Sequence, residues 1–176
     1  EETKKIAEKL DSPVCSGYQH NDSFPGSHPL AAGPLGYNGS KAAMELISKA
    51  DVVLALGTRL NPFSTLPGYG IDYWPKNANI IQVDINPDRI GLTKKVTVGI
   101  SGDAKLVAQQ IFEKLSSNAG DTDRQERKDL IHQTKSAWLQ KLSSLDHEED
   151  DEGTVWNKEA RERDKDRMSP RQAWRA

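Results

Sequence analysis

The sequence predicts an α/β fold, a parallel sheet flanked by helices. Three observations predict it. Apolar runs short enough to be strands, at 52–56 and 79–85, alternate with stretches of helical spacing at 40–47 and 104–115. The connections between these runs are short. The run Val52, Val53, Leu54, Ala55, Leu56 has no alternating polar position, the pattern of a strand buried on both faces of a parallel sheet.

The elements follow in order. Residues 1–10 read as an amphipathic helix, with Ile6 and Leu10 four apart and Lys4, Lys5, Glu8 and Lys9 on the polar face. Asp11, Ser12 and Pro13 end it. Residues 13–17 are a short candidate strand. Residues 18–37, rich in Gly, Pro, His, Asn and Ser, read as one long loop of the kind often tied to function. Gly39 and Ser40 start a helix carrying Ala43, Leu46 and Ile47. The strand at 52–56 is bounded by Gly57, and that at 79–85 is closed by Asn86 and Pro87. A shorter strand spans 96–100. Asp103 is the expected cap of a helix over 104–115, with Leu106, Val107, Ile111 and Phe112 turned inward. A connector at 116–123 leads to a helix over 124–145 with a stripe of Leu130, Ile131, Trp138, Leu139 and Leu142. The acidic run 146–153 reads as a solvated loop.

Charge is distributed unevenly. Of 176 residues, 35% are apolar and 28% charged. Residues 1–120 carry 12 acidic and 12 basic side chains, whereas the much shorter stretch 121–176 carries 14 and 12. The first part can build a core, and the second is too polar to build one alone. The net charge of −2, with signs interspersed, provides no basic footprint for nucleic acid. No apolar run approaches the length of a membrane span. A lone Cys15 excludes an internal disulfide framework and a CxxC metal site. With no signal peptide at the start, the cytoplasm is the expected compartment. Both ends read as cuts through helices: Glu1 opens one, and Ser169 with Pro170 begins another. A fragment of a longer protein is the expectation.

Three short motifs fall where strands end at the carboxyl edge of the sheet, the place where open parallel sheets bind ligands. They are Gly57, Thr58 and Arg59; Asp84, Ile85 and Asn86; and Gly102, Asp103 and Ala104. Gly57 lets a ligand approach the backbone, and Arg59 offers a planar donor fork to phosphate. Asp84 can accept hydrogen bonds from ribose hydroxyls. The amides near Asp103 and Ala104 lie at a helix N-terminus, a natural anion site. Together they describe a nucleotide-type pocket. Each also has a purely structural reading: Asp103 as a helix cap, Asp84 to Pro87 as a turn, Arg59 as a surface ion-pair partner. His20 and His28 flank Asn21, Asp22 and Ser23 at no metal-ligand spacing, and read as hydrogen-bonding loop residues. Cys15 reads as packed rather than nucleophilic.

The run GPLGYNGSKAAMELISKADVVLALGTRLNPF, followed by NIIQVDINPDRIG and GDAKLVAQQI, resembles the central domain of thiamine-diphosphate-dependent enzymes of the acetohydroxyacid synthase type. SGYQHNDSFPGSHPLAAGPLGYNGS and LPGYGIDYWPKNANIIQVDINPDRIG are similar, more narrowly, to the sulfoacetaldehyde acetyltransferases of that family. MSPRQAWRA resembles the start of the third domain. The resemblance implies a Rossmann-like, NAD/FAD-binding type of parallel sheet over 1–118 that lacks its first strand. It also implies a helical charged connector over 119–168 and the beginning of the cofactor domain over 169–176. The activity implied is conversion of sulfoacetaldehyde and phosphate to acetyl phosphate and sulfite, by a homodimer or homotetramer. A carboligase or decarboxylase of the same superfamily, or a non-catalytic nucleotide-binding module, stands as the alternative.

Thiamine diphosphate and Mg²⁺ are implied for the complete enzyme, at sites in its outer domains, so no catalytic or metal residue is assigned in this chain. Central domains of the family hold FAD or an adenine nucleotide. The positions that match are Tyr37, Asn38, Gly57, Arg59, Asp84, Ile85, Asp103 and Ala104. Asn38 stands where FAD-binding members commonly have His, so FAD or ADP is left open and the site reads equally as a relic. An isolated chain without its first strand is expected to be marginally folded, with an exposed parallel edge.

Overall fold

The computed structural model describes residues 1–115 and 121–147. Residues 1–136 form one compact unit, and the remainder of the described chain, 137–147, belongs to a second. The expectations for 116–120 and 148–176, including most of the acidic run and the helix start at Ser169, lie outside the described residues.

Helix α1 (Glu2–Leu10) forms on its predicted spacing and buries Ile6 and Ala7. Asp11 closes it in the left-handed conformation at φ 48°. Strand β1 (Val14–Ser16) follows and pairs in parallel with β2 (Ala31–Pro34). The second strand corrects the expectation of an unbroken loop over 18–37, as does a 3-10 turn at Asn21–Ser23. Ala31, Ala32, Gly33 and Pro34 have little intrinsic strand preference. Pairing with β1 and burial of Ala32 to 6% exposure override it.

Helix α2 (Lys41–Ile47) is capped by Ser40, whose hydroxyl accepts from Ala43 N at 3.3 Å. Five of its seven residues are buried, so it is the central element of the core. Its Ala43, Met44, Leu46 and Ile47 pack with Leu30, Tyr73 and Ile131, while Val14, Cys15 and Val53 lean on the same cluster from the strands.

Strand β3 (Val52–Leu56) pairs in parallel with β4 (Asn79–Asp84), and β4 with β5 (Val98–Ser101), in the order β3-β4-β5. A one-turn helix α3 (Pro62–Thr65), capped by Asn61, lies in the connection from β3 to β4. Burial on both faces holds for β4 rather than for β3. Among the described residues β3 pairs on one side alone, and Val52 is 51% exposed. Helix α4 (Ala104–Lys114) also turns differently from expectation. Leu106 points outward at 57% exposure, and Ala108 takes the buried position with Ile111 and Phe112 at its i+3 and i+4 neighbours. Helix α5 (Asp121–His147) starts within the expected connector 116–123. Of its predicted stripe Ile131 is buried and Leu139 exposed. Among the described residues no helix is long and apolar enough to cross a membrane.

Candidate functional site

The parallel register places the ends of β3, β4 and β5 side by side. Leu56 lies opposite Val83, and Asp84 opposite Ser101. The chain leaving each strand is tied to its neighbour: Gly57 N donates to Val83 O at 2.9 Å, and Gly102 N to Asp84 O at 3.1 Å. Gly57 has φ +61°, and a Cβ built there would lie 3.3 Å from Ala104 Cβ. Gly57 is therefore the close approach between the β3 end and the start of α4. These contacts bring Gly57, Asp84, Asp103 and Ala104 to one edge of the sheet.

Asp84 is 5% exposed. Its Oδ1 accepts from Asn86 N at 2.9 Å, and Asn86 Oδ1 in turn accepts from Asp88 N at 3.0 Å. This is a pair of Asx turns that folds the chain after β4. The second Asp84 oxygen has no partner among the described residues, so a buried carboxylate keeps acceptor capacity at the sheet edge. Asp103 Oδ1 accepts from Lys105 N at 2.9 Å and Leu106 N at 3.0 Å. The donors at the start of α4 are thus met by the chain's own cap. Ile85 is 72% exposed beside Asp84. Arg59 is exposed and its guanidinium makes no ion pair among the described residues, so it stands free beside the strand ends.

Tyr37 and Asn38 occupy the loop after β2, in the other sheet. Asn38 has φ +52°, and Tyr37 is 57% exposed. Tyr37 N donates to Phe63 O at 3.0 Å. Its ring meets Tyr18 edge-on at 6.1 Å, and Tyr18 stacks on Phe63 at 5.9 Å. The loop is drawn against α3 at Gly36, whose missing side chain makes room for the Phe63 carbonyl.

Gln82 is the site residue that sequence reading missed. Buried to 1% exposure in β4, it donates to Thr58 O and Arg89 O and accepts from Gly91 N, so it holds both loops that carry Arg59 and follow Asp84. Its signal was present: one amide in the apolar run Ile80, Ile81, Val83 must find partners when buried. His28 Nε2 lies 3.1 Å from Glu8 Oε1, and its Nδ1 accepts from Leu30 N, the hydrogen-bonding role expected of a loop histidine. Among the described residues no group of three or more His, Cys, Asp or Glu side chains could hold a metal. Cys15 donates weakly to Ala43 O at 3.8 Å, and burial pushes its thiol up to about 12.

The sequence model of the family described as "Thiamine pyrophosphate enzyme, central domain" matches residues 1–111. The chain is 78% identical over 176 residues to the "Probable sulfoacetaldehyde acetyltransferase" of Rhizobium meliloti (strain 1021), covering 100% of this chain and 30% of that protein. It is 75% identical over 174 residues to the sulfoacetaldehyde acetyltransferase of Roseovarius nubinhibens, covering 99% and 29%. To that of Rhodobacter capsulatus it is 69% identical over 175 residues, covering 99% and 30%. The chain thus spans about 30% of the length of these relatives. The parallel α/β architecture and the match of the central-domain model to residues 1–111 agree, and the chain belongs to the thiamine pyrophosphate enzyme family.

Proposed function

We propose that the complete protein is a thiamine-diphosphate-dependent sulfoacetaldehyde acetyltransferase of the cytoplasm, which uses phosphate to convert sulfoacetaldehyde to acetyl phosphate and sulfite. The observation that carries this reading is identity of 69–78% to proteins of that name across practically the whole chain. Thiamine diphosphate, held with Mg²⁺ outside this chain, would supply the electron sink for cleaving the carbon–sulfur bond. This chain contributes scaffold. The test is sulfite release by the full-length protein supplied with thiamine diphosphate, Mg²⁺ and phosphate. Acetyl phosphate and sulfite in equal amounts support the reading. Acetolactate formed from pyruvate, without sulfite release, replaces it with a carboligase.

Residues 1–118 act as a central domain completed by an upstream strand, 119–168 as a connector, and 169–176 as the opening of the cofactor domain. Support comes from the sheets themselves. β1–β2 and β3–β4–β5 are separate among the described residues, so that β1, β2, β3 and β5 are each paired on a single side. Val14, Cys15 and Val53 nevertheless lean on one core cluster. Extending the chain upstream should raise its melting temperature. An unchanged melt counts against a completing strand.

A second reading concerns the sheet edge. Gly57, Arg59, Asp84, Ile85, Asp103 and Ala104, with Tyr37 and Asn38, form a site for FAD or ADP. The spare oxygen of buried Asp84 beside the bare approach at Gly57 favours it. Calorimetry of the full-length protein with FAD, NAD and ADP tests it. Heat with FAD or ADP supports a nucleotide site, and no heat with any of the three leaves the edge as scaffold.

A further inference from the structure

The beginning of α5 is fastened to its unit by charge. Arg124, Arg127, Lys128 and Lys135 lie on one stripe of the helix, and each finds oxygen on another element. Arg124 Nε and Lys128 Nζ both pair with the Asp11 carboxylate, the latter at 3.4 Å. Arg124 Nη2 donates to Lys9 O at 3.2 Å, and Arg127 Nη1 donates to Leu10 O. Those two carbonyls are among the last of α1, which have no partner within their own helix and form its negative end. Lys135 Nζ donates to Pro29 O at 2.6 Å and His28 O at 3.3 Å.

Apolar attachment here is confined to one turn, where Ile131 joins the core cluster and Leu130 leans on it. Over 124–136 the buried residues are Ile131 and Thr134. In α2, by contrast, five of seven are buried. An open groove of about 310 Å³ runs beside the helix, lined by Glu8, Asp11, Pro29, Leu30, Lys128 and Ile131. Where charged contacts outweigh packing, local opening costs less than global unfolding.

We propose that residues 121–136 of α5 are an electrostatically latched strap, which opens as a local unit while the two sheets stay folded. Asp11 is the centre of the latch because it holds two of the four cations. Once undocked, so polar a helix keeps its amides only weakly protected.

Peptide-resolved hydrogen exchange on the full-length protein tests the proposal, with β4 as internal reference. Asp11→Asn removes the charge while asparagine tolerates the φ of 48° at this position. Arg124→Met removes the partner charge and retains most of the side-chain stem. Each variant should exchange the amides of 124–136 about tenfold faster, the loss expected of one charge-assisted contact, and in the parent and both variants these amides should exchange much faster than those of β4. Unchanged exchange at 124–136 in both variants would overturn the proposal. So would exchange of 124–136 in the parent as slow as that of β4, because the strap would then open only with the whole domain.

Discussion

Gln82 Nε2 donates to the carbonyl of Thr58 at 3.0 Å, tying the middle strand of the larger sheet to the loop that leaves its edge strand. The same nitrogen donates to Arg89 O at 3.2 Å, and Oε1 accepts from Gly91 N at 2.9 Å. Thr93 Oγ1 completes the arrangement by donating to Arg59 O and Leu60 O, both at 2.9 Å. A single buried amide therefore sets the two loops on which Arg59 and the Asp84 turn depend. Gln82→Leu nearly preserves volume but leaves three backbone groups without their partner. Each unsatisfied buried group costs about 1–3 kcal/mol, so a loss of about 3 kcal/mol or more is expected in urea unfolding. A leucine variant as stable as the parent would show that the tether contributes nothing.

Gly36 and Gly70 both have positive φ, +81° and +73°, yet they should respond differently to substitution. A Cβ at Gly36 would lie 1.8 Å from Phe63 O, against backbone that cannot swing aside. At Gly70 nothing lies within 4 Å. Gly70→Ala should cost only the left-handed penalty, about 1–2 kcal/mol. Gly36→Ala should cost clearly more, because α3 must move with Phe63. Equal losses in paired urea titrations would mean that the loop after β2 yields without resistance.

Where periodicity was strong, the fold was legible from the residues. α1, α2 and the strands at 52–56 and 79–84 need only apolar spacing and a cap, and Ser40 and Asp103 cap as their types dictate. β2 was not legible, because Ala31–Pro34 becomes a strand through pairing with β1 rather than through its own preference. The edge position of β3 was hidden for a related reason: an apolar run reports the residues available for burial and not which neighbour strands arrive. Leu106 and Ala108 illustrate the same limit, since a small residue took the inward place at close packing and the larger one was left outside. At the candidate site the strand-end residues Gly57, Asp84 and Asp103 could be located by topology. The Asp84 turn and the Asp103 cap, each formed within a few residues, were also foreseeable. The Gln82 tether joins segments 24 residues apart, and its partners are backbone atoms that side-chain patterns do not reveal.

Two weak acids, the buried Tyr73 and the half-buried Cys15, make the unit sensitive to alkali. Burial pushes the Cys15 thiol from 9.0 up to about 12. It also raises the Tyr73 hydroxyl from 10.0 to about 12, despite an opposing backbone hydrogen bond. Both groups stay neutral in the folded chain where the unfolded chain would ionise. Their contribution is complete below the unfolded values and is lost as pH rises through the folded ones. Stability should therefore fall progressively from about pH 9 to about pH 12. Urea titrations at stepped pH measure this, and Cys15→Ala should remove the lower part of the decline. At pH 8 the native thiol should also resist a disulfide reagent that labels it rapidly in urea. Fast labelling of the folded chain would show that the Cys15 thiol is not held neutral against Ala43 O.

Acid should act on Asp11 with the opposite sign. Burial alone would raise its pKa, but hydrogen bonds from Arg124 and Lys128, with their charges, more than offset that and hold the carboxyl below its ordinary 3.8. The folded chain thus favours the ionised carboxylate more than the unfolded chain does. This contribution is fully present above the unfolded value and is lost as pH falls through the lower folded one. Comparison of the parent with Asp11→Asn isolates the effect, since the substituted residue does not titrate. The stability difference between the two should be constant near neutrality and shrink as pH falls below about 4. A difference that stays constant to lower pH would mean that the Asp11 carboxylate gains nothing from its two cations. The attachment of α5 would then rest on the carbonyls of Lys9, Leu10, His28 and Pro29 alone.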